Sequence, residues 1–182
     1  MTVMKKTLLL LLLCLLAVSP LFAKEGDVHV TKTTPAVLNF DAGASVSVPL
    51  ESDQSKSFGV FGGVAFTPAG FAKFNAGIKG EFSLNGIKGN DSKKIGATAL
   101  VLARMYIEKS FEIYGGLGAR YVVWDIESLT EYSHSWGIVL QGGARGRVLN
   151  WLGVGVQGSF IKGFNSLPTA LEISIYGSIE AF

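Results

Sequence analysis

Few residues in this 182-residue chain could do covalent chemistry. Its histidines are His29 and His134, and its one cysteine is Cys14. His134 sits in Ser133-His134-Ser135-Trp136. A histidine activates a serine only as a general base within hydrogen-bond reach. Along a strand, side chains on one face are two residues apart. Trp136 therefore shares the face of His134, while Ser133 and Ser135 point the other way. No cluster of His, Cys, Asp and Glu has metal-ligand spacing. No Gly-rich loop joins a strand to a helix to cradle phosphate. The expected catalytic, metal and cofactor residues are none.

What remains is charge. Asp41, Glu81, Glu112, Glu172 and Glu180 stand against Lys79, Arg104, Arg120, Arg145 and Arg147, all on the polar phase of an alternating pattern. An ion in a narrow interior needs a partner, because an unpaired buried charge is costly. A structural salt-bridge network is expected, and register sharpens it. A turn centred on Glu108 puts Arg104 opposite Glu112. The next connection centres between Leu129 and Thr130, which places Arg147 on the other flank of Glu112. An Arg104–Glu112–Arg147 cluster near one end of the sheet is the expected site. About a centre at Asn150, Gly153 opposes Arg147 and Gly155 opposes Arg145, leaving volume for the guanidinium groups.

The elements that must position these charges are strands. Residues 73–85 show the pattern best: Phe74, Ala76, Ile78, Phe82 and Leu84 alternate with Asn75, Lys79, Glu81, Ser83 and Asn85. A two-residue period separates an apolar sheet face from a polar one. Eight such segments are expected at about 36–48, 57–67, 73–85, 94–107, 110–124, 134–149, 151–161 and 169–182, by this alternation. Nothing has a sustained helical period. The connections alternate in length. Pro49–Lys56, Gly86–Lys93, Asp125–Ser133 and Lys162–Pro168 are long; Pro68–Ala72, Glu108–Lys109 and Asn150 are short. Long and short thus fall at opposite ends of an up-and-down meander, with both termini at the short-turn end.

The N-terminus reads as a leader. Lys5 and Lys6 precede an apolar run, Leu8–Leu16, and Ala23 ends it, so residues 1–23 are expected to be a cleaved signal peptide. Cys14 lies within it behind three leucines, which excludes a lipoprotein signal, and the mature chain has no cysteine for a disulfide. Residues 24–35 are polar and without a strong period, a lead-in ahead of one barrel domain at 36–182. Sixteen basic residues fall to fourteen once Lys5 and Lys6 leave, matching the fourteen acids. No basic excess speaks for nucleic acid.

A soluble barrel buries its apolar face; a membrane barrel turns it toward lipid. Here the polar face mixes small residues (Gly137, Gly143, Gly153, Gly155) with Gln141, Arg145, Arg147 and Gln157, which suits a crowded polar lumen. The apolar face carries Phe66, Phe74 and Phe111 toward one end and Phe58, Phe82, Tyr121, Trp136 and Phe160 toward the other, as two membrane interfaces require. The expected fold is all-β: an eight-stranded antiparallel up-and-down transmembrane β-barrel. Eight strands enclose side chains and leave no aqueous pore.

On these residues, and on Tyr114-Gly-Gly-Leu-Gly-Ala-Arg-Tyr121 and the terminal Phe182, the chain resembles the small eight-stranded outer-membrane barrels: the OmpA transmembrane domain, OmpX-like and opacity-like proteins. Phe182 is similar to the end residue read by the barrel-insertion machinery, although Glu180 and Ser178 share its parity where apolar residues usually do. The resemblance implies a bacterial outer-membrane location, with membrane lipid and lipopolysaccharide around a monomer. It also implies an adhesion, surface-protection or envelope-structural role. Leu129, Tyr132, Phe164 and Leu167 give the loops modest contact surface. The alternative within this group is a lipid A-modifying enzyme. An outer-leaflet deacylase would offer His-x-Ser on one lipid-facing strand edge, and the His134 segment does not.

Overall fold

A computed structural model describes residues 33–34, 36–51, 55–68, 70–71, 74–87, 93–108, 110–125, 133–165 and 167–181. Eight strands form a closed antiparallel barrel: β1 (Val37–Pro49), β2 (Ser57–Thr67), β3 (Phe74–Ile87), β4 (Lys93–Glu108), β5 (Phe111–Asp125), β6 (Ser133–Arg147), β7 (Leu152–Phe164) and β8 (Ala170–Ala181). Each pairs with its sequence neighbours, and β8 returns to β1 from Ala170↔Pro49 to Ala181↔Leu38. Every expected segment is a strand, with ends within about three residues, the ordinary uncertainty of boundaries. The signal peptide and most of the lead-in lie outside the described residues, as do Phe182, Leu129 and Tyr132. Thr33–Thr34 pairs with Gly70–Phe71 as a two-residue ladder.

The loop asymmetry is milder than expected, because strands continue into the connections. Residues 88–92 alone separate β3 from β4, whereas 68–73 separate β2 from β3. The tightest reversals keep to one end. Lys109 and Ser110 alone join β4 to β5, and Leu152 N–H donates to Leu149 C=O at 3.3 Å in the turn after β6. At the other end Asn165 adopts φ 57°, a left-handed conformation that asparagine tolerates. It turns the chain so that Leu167 N–H reaches Phe164 C=O at 3.2 Å.

The two faces are inverted relative to a water-soluble protein. Ile175, Val101, Ile173 and Ile78 are 61–68% exposed on the outer wall. Asn39, Asp41, Lys79, Glu81, Arg120, Arg145 and Glu172 are buried inside. A soluble chain does not leave so much contiguous apolar surface in water, whereas a hydrocarbon solvent favours it. The inside is not purely polar, however. Phe61, Ala65, Leu100, Leu102, Val139 and Ile161 pack with Tyr114 and Tyr176 as a core within the lumen. The expectation of a polar lumen is corrected to a mixed one: ion-paired clusters interleaved with apolar and aromatic side chains.

Candidate functional site

The lumen is crossed by three polar clusters. At the end that holds both barrel termini, Arg145 is the hub. Its Nη1 donates to Ser178 Oγ at 2.8 Å and to Asn39 Oδ1 at 2.5 Å. Its Nη2 donates to Glu112 Oε2 and to Glu180 Oε2, each at 3.1 Å, and Nε lies 3.0 Å from Glu112 Oε1. One guanidinium therefore joins β6 to β5, β8 and β1. Gly153 provides the room: a methyl group there would sit 3.2 Å from Arg145 Cγ and Cδ.

The expected Arg104–Glu112–Arg147 cluster is only partly assembled. β4 runs on to Glu108, so the turn falls at Lys109–Ser110 and, after an irregularity, Tyr106 rather than Arg104 opposes Glu112. Arg104 Nη1 reaches only 3.9 Å from Glu112 Oε1. Across the long connection the register also differs by two, and Arg145 opposes Glu112. Arg147 pairs with Glu180 through Nη2. The β6–β7 register is the expected one, with Arg145↔Gly155 and Arg147↔Gly153.

The middle layer centres on Lys79. Its ammonium lies 2.8 Å from Glu81 Oε1 and 3.1 Å from Asp41 Oδ2, and donates to Gln157 Oε1 at 3.0 Å. It also stands 5.4 and 5.6 Å from the ring centroids of Tyr176 and Tyr114, within cation–π range. Tyr176 Oη donates to Tyr114 Oη at 3.0 Å, and Tyr114 Oη donates to Gln157 Oε1 at 3.0 Å. Glu81 accepts from Gln141 and Gln157 at 3.1 Å each. The two rings lie over cross-strand glycines: a Cβ at Gly143 would collide with Tyr114, and one at Gly155 with Tyr176. So Gly155 makes room for a tyrosine ring, not for Arg145. Tyr176 carried no signal of its own in the sequence, because a tyrosine suits either face of such a wall.

Toward the other end, Arg120 and Glu172 form a bidentate pair across the lumen, Nη1–Oε2 2.8 Å and Nη2–Oε1 3.1 Å. Arg120 Nε also donates to Thr98 Oγ1 at 2.9 Å. Bidentate pairing with a further donor satisfied through Nε is the geometry that makes a buried ion pair tolerable. Lys94, absent from the expected set of lumen charges, is buried here too. On the outside, His134 faces away from the lumen. Its Nδ1 is hydrogen-bonded to Tyr121 Oη, and the rings stack at 5.8 Å. Ser135 is buried within. Trp136 and Phe164 pack 4.5 Å apart beside them. Phe164 thus belongs to the outer wall, and Leu167 packs inward against the core. The expectation that both serve as loop contact surface is corrected.

With an apolar outer wall and a charged, packed interior, the architecture is decided. This is a small transmembrane β-barrel. No family model matches the chain, and no curated protein is similar to it in sequence. Solved structures are similar in fold. Neisserial surface protein A aligns over 82% of this chain and 97% of its own, at 11% identity and a TM-score of 0.55. Ail, the attachment invasion locus protein of Yersinia pestis, aligns over 81% and 100%, at 11% identity and 0.58. The outer membrane protein OprG from Pseudomonas aeruginosa aligns over 81% and 96%, at 15% identity and 0.53. The barrel and the outer-membrane proteins share an architecture, with little sequence in common.

Proposed function

We propose that the barrel is a bacterial outer-membrane protein, exported behind a cleaved leader at residues 1–23 and joined to it by a periplasmic lead-in at 24–35. It acts as a monomer in envelope structure or surface contact, through the loops near Asp53, Asn90, Glu131 and Asn165, and carries out no catalysis. Its partners are outer-membrane lipid and lipopolysaccharide, with the barrel-insertion machinery during biogenesis. The observation that supports this most is the division of labour between faces. Inside, Arg145, Lys79 and Arg120 are engaged in cross-lumen ion pairs, while His134 and Ser135 stand on opposite sides of one strand. The names of the fold neighbours, a surface protein and an attachment protein, accord with a role at the cell surface.

Orientation is the part most directly tested. The mature sequence has no cysteine, so single cysteines at the exposed turn residues Asn165 and Asn150 report separately. A membrane-impermeant maleimide should label Asn165→Cys on intact cells, and Asn150→Cys only after permeabilisation. Labelling of Asn150→Cys alone on intact cells would invert the topology. The lipid A species of cells with and without the protein should be the same. A changed acyl pattern that depends on the protein would replace this reading with an enzymatic one.

A further inference from the structure

Lys162 is a cation on the lipid-facing wall. β7 exposes Val154, Val156, Gly158 and Lys162 while Gly155, Gln157, Ser159 and Ile161 are buried, so Lys162 shares the outer phase. It pairs with Ile138, and the next outer pair toward the loop is Trp136↔Phe164. The lysine therefore leaves its strand one step inside the aromatic rim. An ionisable group on a wall that faces lipid is costly and by default marks a task. Its length lets the charge escape the hydrocarbon. The ammonium donates to Thr169 Oγ1 at 3.3 Å, just ahead of β8. Thr169 is itself fixed, since its carbonyl accepts from Leu50 N–H at 2.8 Å and its N–H donates to Glu51 Oε1 at 3.4 Å. A threonine hydroxyl is neutral, so it orients the ammonium without cancelling its charge. Beside the lysine, the Trp136 and Phe164 rings lie 4.5 Å apart, and Trp136 is 48% exposed. Tyr121 and His134 continue the rim on β5 and β6.

We propose that Lys162 and the adjoining Trp136–Phe164 shelf bind a phosphorylated glycolipid, the ammonium taking its phosphate and the rings its sugar and the top of its acyl chains. Two observations choose this occupant. The patch is continuous with the apolar wall below it, where Ile138 and Leu140 are exposed to lipid, so whatever covers it has an acyl part. At the upper edge of that wall stands a positive charge, which calls for an anionic headgroup. A phosphomonoester on a sugar carries about −1.5 to −2 charges at neutral pH, whereas the phosphodiester of a phospholipid carries a single one. Ring faces also suit the apolar face of a sugar better than a flexible glycerol head. Glu51, across Thr169 from the ammonium, keeps the anion on the Trp136 side of Lys162. This inference rests on the outer-membrane reading above, and specifies which part of the wall meets the glycolipid.

The test refolds the mature barrel into phosphatidylcholine nanodiscs that contain rising fractions of lipid A, of lipid A stripped of its phosphates, or of phosphatidylglycerol. Backbone amide shifts are read for residues 136, 162, 164 and 169. Lipid A should shift these amides saturably, at lower fractions than phosphatidylglycerol, and the dephosphorylated form should not. Lys162→Met should weaken lipid A binding roughly fivefold, the usual contribution of one lysine at an anionic lipid surface, while Lys162→Arg retains it. The spectra of the variants confirm the fold before titration. Equal binding by Lys162→Met or by dephosphorylated lipid A would overturn the site, and equal binding of phosphatidylglycerol would overturn the choice of a glycolipid. These titrations do not depend on orientation in cells, so a failure of the cellular reading shows in the maleimide labelling and not here.

Discussion

Arg145 and Arg104 look interchangeable as residues, yet they occupy different electrostatic positions. Arg145 serves two carboxylates and two neutral acceptors, whereas Arg104 stands 3.9 Å from its one carboxylate contact. Removing one partner of a buried pair leaves an uncompensated charge, at a cost of about 3–5 kcal/mol. Arg145→Met should lose that much stability in urea unfolding from lipid vesicles, and Arg104→Met clearly less. Equal losses would mean that Glu112 depends on both. The glycines allow a second comparison. Gly143→Ala drives a methyl into Tyr114 and should cost roughly 1–3 kcal/mol, the usual range for overpacking. Gly158 has nothing within 4 Å of its Cβ position, so Gly158→Ala should be close to neutral. At this scale the charged inventory was legible and its pairing was not. Arithmetic about a turn relates only adjacent strands. Arg120–Glu172, Lys79–Asp41 and Tyr114–Tyr176 all reach past their neighbours, and a turn displaced by one residue shifts the partner by two.

The strands themselves were easy to read, because lipid outside and packed polar groups inside impose opposite requirements on successive residues. In β3, Phe74, Ile78 and Phe82 are exposed while Asn75, Lys79 and Glu81 are buried, and the phase of every other strand agrees. What the alternation hid was apolar residues on the inner phase. Ala99-Leu100-Val101-Leu102-Ala103 is apolar on both faces, so period two cannot show that Leu100 and Leu102 belong to an interior core. Depth along a strand then decides how the outer wall responds to charge. Leu117 lies near the middle of β5, so Leu117→Arg should cost about 2–4 kcal/mol in vesicle refolding. Ile138 sits one step from the Tyr121, Trp136 and Phe164 rim, so Ile138→Arg should cost less, as its guanidinium can reach the interface. Inside, Thr98→Arg has little room, since Thr98 accepts from Arg120 Nε. Tolerance of Leu117→Arg would mean that this wall is not in hydrocarbon.

For the molecule as a whole, the question is whether a closed barrel is also a sealed one. Each layer spans the lumen by different means: Arg145 to four partners at one end, Lys79 beneath two tyrosine rings in the middle, Arg120 with Glu172 toward the other. Between them pack Leu100, Leu102, Val139 and Ile161. A small ion crossing would have to displace a side chain that already holds two carboxylates, in a space where eight strands leave no water column. Planar-bilayer recordings of the refolded barrel should therefore show no steady porin-like current. Lys79 is the side chain on which that seal most depends. Lys79→Ala leaves Asp41 and Glu81 facing each other without their cation, so both must be hydrated. The variant should leak cations where the parent does not. A steady current through the parent barrel, or a Lys79→Ala barrel as tight as the parent, would show that the seal lies elsewhere than in the lumen layers.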